Sequence, residues 1–213
     1  EGRIVKKDIE EYKRSGSSIV KSLIQPGVDK EVPHSMMRKT IARRLAESKF
    51  SAPHFYLTMD IDMDNAMSGR VAYNAAMAES GVKVSFNHLV IKEAAVAMQK
   101  HPKVNSLWTD KAIVYKGDVN IGIAVAVEDG LVVPVLNNSE QKSLAEIAIE
   151  ANELGGKAKS GKLQPAEMDG NTFTISNLGM AGIESFTSII NSPSSCILAV
   201  GAIRTEPVVK NGE

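Results

Sequence analysis

Between His54 and Asp62 apolar and polar side chains alternate strictly, with Phe55, Leu57, Met59 and Ile61 on one side and His54, Tyr56, Thr58 and Asp60 on the other. A period of two is what a half-buried strand requires, so the spacing predicts a strand over 54–62. The period returns over 119–127, where bulky Val119, Ile121, Ile123, Val125 and Val127 alternate with Asn120, Gly122, Ala124 and Ala126. That leaves one bulky face and one bare face that another group can approach closely. In Thr172-Phe173-Thr174-Ile175-Ser176 the same rule sets Phe173 and Ile175 toward a core and the hydroxyls the other way. Ser176 closes that row. Directly after it Asn177-Leu178-Gly179 breaks the alternation, which leaves the Ser176 hydroxyl at the mouth of a turn, within a substrate's reach. Pattern alone favours a plainer reading, a half-buried strand with a polar outer face.

Helical spacing fills the intervals. Met37, Ile41 and Leu45 recur every four residues over 35–50, with Arg38, Lys39, Arg43 and Arg44 on other faces. Helices are also expected over 64–80, ending at Gly81, and over 85–100, which is apolar nearly all round and so predicted to lie in the middle of the domain. His88, on the first turn of the latter, reads as a hydrogen-bonded structural histidine. Short strands are predicted over 106–109 and 112–115, joined at Asp110-Lys111, and Asp129-Gly130 before 131–136 signals a hairpin. Ser143 and Glu146 have capping-box spacing and open a helix with Leu144, Ile147, Ala151, Leu154 and Ala158 on one face. A last strand is expected over 196–203, so helices accompany a mixed or antiparallel sheet, an α+β domain. Residues 1–14 are charged and hold one short helix at most, 15–33 read as a linker, and the compact part begins near Ser35.

Charge and chemistry narrow the picture by exclusion. Lys plus Arg and Asp plus Glu both number 25 among 213 residues, so no net field argues for nucleic acid or an anionic membrane. No apolar run approaches the roughly 20 residues needed to cross a bilayer. Cys196 lies in an apolar run and reads as a core residue, and a single cysteine allows no internal disulfide. His34, His54, His88 and His101 lack metal-ligand spacing, and no metal is expected. His54 is weighed as a site residue against an exposed or interface histidine. Gly156 to Lys162 has phosphate-loop spacing, but Leu163 stands where a hydroxyl should hold the metal, so a helix terminus is preferred. Asp110-Lys111-Ala112 matches the tripeptide of lipoyl domains without their all-β surroundings and reads as an ordinary turn. Ser176 lacks the Gly-x-Ser-x-Gly context of a hydrolase nucleophile.

Three blocks in order, MRKTIARRLAESKFSAPHFYLTMDID (37–62), VNIGIAVAVEDGLVVPVL (119–136) and FTISNLGMAGIESFTSIINSPSSCILAVG (173–201), resemble the catalytic domain of dihydrolipoamide acyltransferases. These enzymes form the core of the 2-oxo acid dehydrogenase complexes and share a chloramphenicol-acetyltransferase-like fold; the last block is most similar to the pyruvate branch. The resemblance implies transfer of an acetyl group from acetyl-dihydrolipoamide to coenzyme A. Coenzyme A is then a substrate, the lipoyl group sits on a separate domain, and no metal takes part. It matches the family's oxyanion donor to Ser176 and leaves the residues that grip coenzyme A and the lipoyl arm unassigned. It implies a homotrimer within a larger cubic or dodecahedral core, partnered by pyruvate dehydrogenase and dihydrolipoamide dehydrogenase components. The expected location is a bacterial cytoplasm, or the mitochondrial matrix of a eukaryote. Residues 1–14 resemble the end of a peripheral subunit-binding domain, and 34–213 the catalytic domain without its C-terminal segment. The family's base is the histidine of a His-x-x-x-Asp-Gly motif that none of the four histidines matches. The chain thus reads as a fragment of a catalytic parent, inactive alone, with a non-catalytic structural core protein as the alternative.

Overall fold

A Ser35 hydroxyl that accepts the Arg38 N–H at 3.2 Å caps the first helix, α1 (Met36–Ser51), where the amphipathic pattern placed it. A computed structural model describes Gly27 and residues 29–209; the helix expected within 1–14 and the linker up to Pro26 lie outside the described residues. Ser35–Glu213 groups as one compact unit. The stripe on α1 is shallow: Ile41 and Leu45 are half-buried and only Ser48 is buried. Ile41 lies over Gly130, where a Cβ would come within 2.7 Å of its Cδ1.

Helix α2 (Asp64–Ala76) and a 3-10 turn, Ala78–Ser80, end at Gly81, whose φ of 70° favours glycine. Helix α3 (Phe86–Lys100) follows. Its burial is narrower than its composition predicts. His88, Ile91, Ala95 and Met98 are buried at three- and four-residue spacing, while Leu89, Val90, Ala94 and Val96 are half-buried, because one stripe meets the core.

The strands are β1 (Ser106–Trp108), β2 (Ile113–Tyr115), β3 (Ile121–Ile123), β4 (Val125–Val127), β5 (Gly130–Val132), β6 (Val135–Leu136), β7 (Phe173–Asn177) and β8 (Ile197–Val200). Helix α4 (Leu144–Lys159) lies between β6 and β7 and opens with the expected capping box. The main sheet runs β6-β3-β7-β8, parallel from β3 through β8 with β6 antiparallel at one edge. Ile121, Ile123, Leu136, Phe173 and Ile175 share one face of it and join Ile91, Ala95 and Met98 of α3 and Ile147 and Leu154 of α4 in a single core cluster. Each large aliphatic side chain there contributes about 1.5 to 3 kcal/mol of burial. Gly156, in the passage with phosphate-loop spacing, lies inside the last turns of α4.

Four expectations need correction. The 119–127 run is cut at Ala124, whose N–H donates to the Ile175 carbonyl at 2.9 Å; β3 stays in the main sheet while β4 pairs with β5 in a separate hairpin. Likewise 131–136 divides between β5 and β6. The row of hydroxyls over 172–176 is largely buried: Thr172, just before β7, and Thr174 are 0% and 1% exposed, while Ser176 is half-buried. On that face the Asn171 side chain reaches the Thr174 hydroxyl and ties in Ser194. Finally, 54–62 forms no strand. Alternation supplies side-chain sorting but not a ladder partner, and no described strand pairs with it. Its apolar side is left open, with Phe55, Leu57, Met59 and Ile61 exposed at 83, 84, 83 and 74%.

Candidate functional site

Ser176 is the penultimate residue of β7, in register with Ala199 of β8. The strand is held on both sides, by β3 through Ile175 and by β8 as far as Asn177–Val200, so the position of Ser176 is set by the sheet rather than by a free loop. On its face of the sheet the neighbours are small: Ala199 beside it and Gly122 next to Thr174. The bare face of β3 does permit the close approach that its sequence implied, and the group that approaches is internal. A Cβ on Gly122 would sit 2.7 Å from Val133 Cγ1 and 3.4 Å from the Thr174 hydroxyl oxygen.

Thr174 and Ser176 point the same way and differ in occupation. The Asn171 side-chain amide donates to Thr174 Oγ1 at 3.2 Å and to Ser194 Oγ at 3.1 Å, so that end of the row is spent on tying the 190–195 segment to the sheet. The Ser48 hydroxyl donates to the Ile190 carbonyl at 2.5 Å and accepts from Ser192 Oγ at 3.0 Å, which ties the same segment to α1. Ser176 is half-buried, and its hydroxyl makes no hydrogen bond among the described residues.

The turn after it is built by backbone crossing backbone. Leu178 N–H donates to the Val200 carbonyl at 3.0 Å, and Ala202 N–H to the Ile183 carbonyl at 2.8 Å. A 3-10 turn, Gly179–Ala181, closes at Gly182 with φ 73°. A Cβ on Gly179 would lie 2.5 Å from the Gly201 carbonyl oxygen, and one on Gly201 would overlap the Glu184 carbonyl. Asn177 accepts the Gly179 N–H through Oδ1 at 2.9 Å and donates from Nδ2 to Asn87 Oδ1 at 3.1 Å. Gly179, Gly201, Asn177 and Asn87 were all missed in the sequence. The available signal was the pair of glycines closing each arm of the crossing, and nothing local says that they meet.

No histidine hydrogen-bonds to Ser176 among the described residues. His34 and His101 are exposed. His54 is half-buried and used by the backbone at both ring nitrogens: Nε2 accepts the Ile190 N–H at 3.1 Å, so the proton sits on Nδ1 and is donated to the Ala52 carbonyl at 2.6 Å. It ties the end of α1 to the 190–195 segment. His88 is buried, as a structural histidine should be, and its Nδ1 accepts the Ser85 N–H at 3.1 Å while its backbone N–H donates to the Ser85 hydroxyl at 3.3 Å. Burial pushes its pKa below the ordinary value of 6.5, so the folded state holds it neutral. Its contribution to stability is therefore complete above about pH 6.5 and is lost as pH falls below that, toward the folded pKa. The thermal midpoint is expected to drop between about pH 7 and about pH 5, and to drop less in His88→Gln, whose amide oxygen preserves the cap. Equal drops in both proteins would remove His88 from the response. Cys196 is half-buried against the core cluster, and burial pushes its thiol pKa up. No group of three or more His, Cys, Asp or Glu side chains among the described residues is placed to hold a metal ion.

The model for the 2-oxoacid dehydrogenases acyltransferase (catalytic domain) matches residues 26–213, so the chain belongs to that family of acyltransferases. The dihydrolipoyllysine-residue acetyltransferase component of the pyruvate dehydrogenase complex of Rickettsia felis is 42% identical over 215 residues, covering 100% of this chain and 52% of the relative. The chain thus spans about half the length of such relatives. A solved dihydrolipoamide acetyltransferase of Azotobacter vinelandii, determined to study a serine, a histidine and an asparagine in its mechanism, superposes with a TM-score of 0.84 at 37% identity, over 88% of this chain and 78% of that one. The cubic core of a pyruvate dehydrogenase multienzyme complex matches at a TM-score of 0.84, 37% identity and the same 88% and 78% coverage. The chloramphenicol-acetyltransferase-like α+β class expected from the three blocks is the observed one.

Proposed function

We propose that this domain transfers an acetyl group from acetyl-dihydrolipoamide to coenzyme A, with Ser176 donating a hydrogen bond to the oxyanion of the tetrahedral intermediate. The observation that carries the reading is the Ser176 hydroxyl, half-buried on a strand anchored at both edges and without a hydrogen-bond partner among the described residues. In the reaction a base removes the coenzyme A thiol proton, because a thiol of pKa about 8.5 supplies little thiolate at neutral pH. The sulfur attacks the thioester carbonyl carbon, the oxygen takes the negative charge, and the dihydrolipoyl sulfur leaves with the proton returned by the base. A hydroxyl aimed at that oxygen is strengthened as charge develops there, which favours the transition state over the bound substrate. The base is assigned to the histidine of the family's His-x-x-x-Asp-Gly motif, reaching the site from a neighbouring subunit.

The uncovered apolar side of 55–61 supports assembly, since soluble monomers seldom leave so continuous a patch open. The proposed assembly is a homotrimer within a cubic or dodecahedral core that also binds pyruvate dehydrogenase and dihydrolipoamide dehydrogenase components. The lipoyl group is carried on another domain, and residues 1–14 are proposed to continue a peripheral subunit-binding domain. The proposed compartment is a bacterial cytoplasm, or the mitochondrial matrix for a eukaryotic host. The full-length chain, confirmed as a trimer or larger by light scattering, is expected to form acetyl-coenzyme A from acetyl-dihydrolipoamide. An assembled core without transfer would instead support the structural reading.

A further inference from the structure

We propose that Asn177 and Asn87 form a side-chain clamp that fixes the turn bearing Ser176 to the first turn of α3, making Asn177 a positioning residue for acyl transfer. The inference rests on Ser176 being the oxyanion donor. A hydroxyl group rotates freely, so what fixes its reach is the backbone from which it projects, and here that backbone is the last two residues of β7. The ladder ends at Asn177–Val200, and beyond it the chain reverses through a 3-10 turn. The Asn177 side chain spans that change. Its Oδ1 takes the Gly179 N–H at 2.9 Å, which locks the start of the turn, and its Nδ2 reaches Asn87 Oδ1 at 3.1 Å.

Asn87 is a rigid anchor. It follows the Ser85 cap of α3, inside the box closed by Ser85 and His88, and the helix is seated by Ile91 and Ala95, both 0% exposed. Both functions of the Asn177 amide are thus spent on position, one within the turn and one across to a helix 90 residues away in sequence. The turn has other holds, the Leu178 N–H to Val200 and the Ala202 N–H to Ile183, so loss of the clamp reorients it without unfolding it.

Amide chemistry gives a specific test in the assembled full-length core. Asn177→Ala and Asn87→Ala are each expected to lower kcat about tenfold, the equivalent of one net hydrogen bond near the upper end of its usual range, with KM for both substrates held. Asn87→Asp keeps the acceptor facing Nδ2 and is expected to restore turnover relative to Asn87→Ala. Asn177→Asp keeps the acceptor for Gly179, and Asn87 turns its amide to donate across. The double variant N87D/N177D sets two carboxylates face to face and is expected to fall at least as far as Asn177→Ala. It should then recover relative to wild type as pH is lowered, because protonating one carboxylate returns a donor to the pair. Exchange of the Gly179 amide reads the clamp independently of chemistry and should quicken in Asn177→Ala and in the double variant. Unchanged Gly179 exchange, or unchanged kcat despite faster exchange, would overturn the proposal, as would a double variant no worse than its singles. If Ser176→Ala leaves turnover intact while the Gly179 results stand, the serine assignment fails and the clamp survives as a feature of the turn alone.

Discussion

Ser176→Ala in the assembled full-length core is expected to lower kcat about 10²- to 10³-fold, a loss of roughly 3 to 4 kcal/mol of transition-state stabilisation, with both KM values largely kept. The size follows from what the hydroxyl does and does not touch. It makes no hydrogen bond among the described residues, so its removal breaks none there, and the thermal midpoint should move only slightly. The donor matters only when negative charge gathers on the thioester oxygen, and water cannot replace it without reorganising at the moment of reaction. Steady-state kinetics with varied coenzyme A and varied acetyl-dihydrolipoamide separate the outcomes. A fall in kcat at constant KM identifies a transition-state donor. A rise in KM alone would make Ser176 a substrate contact, and unchanged turnover would remove it from the mechanism.

Gly201→Ala is expected to be the most damaging small substitution in the turn, costing about 2 to 3 kcal/mol of stability and about 5 to 10 °C in thermal midpoint. The added Cβ would overlap the Glu184 carbonyl oxygen and lie within 3.3 Å of the Ile183 carbonyl oxygen. Both are backbone atoms, so no side-chain rotation relieves the clash. Relief requires the 183–184 backbone to move away from the end of β8, which breaks the Ala202 N–H bond to Ile183 and drags the turn after Ser176 with it. Turnover should therefore fall along with stability. Gly156→Ala is the matched control: it lies inside α4 with nothing within 4 Å of the added methyl, and it is expected to raise stability by about 0.5 to 1 kcal/mol. Thermal denaturation of the two variants side by side decides the point. A harmless Gly201→Ala would mean that the two backbone arms separate at little cost.

Local chemistry carried much of the fold. The helices α1, α3 and α4 begin where Ser35, Ser85 and Ser143 put oxygen acceptors, and the latter two carry full capping boxes, because a cap is satisfied within three residues of itself. The strand through Phe173 and Ile175 and the Ser176 position at its end were legible for a similar reason. Alternation is a property of neighbouring residues, and a turn signal such as Asn177-Leu178-Gly179 needs no distant partner. The family was legible too, since three long blocks in order leave little freedom.

What escaped depends on contacts between residues far apart in sequence. The 54–62 segment has a strand's side-chain order, but a ladder needs a second chain segment alongside, and none of the described strands supplies it. Thr174 looks like an outer hydroxyl until Asn171 and Ser194 close over it. By itself the sequence determined the capped helices, the alternating strands, the family and the presence of a serine at a strand end. Only the tertiary structure decided that Thr174 is occupied while Ser176 has no hydrogen-bond partner among the described residues, and that Gly179, Gly201, Asn177 and Asn87 meet in the turn after it. Caps and periodicity are satisfied within a few residues, whereas a site is made where distant stretches meet, and that meeting is set by the packed sheet and helices.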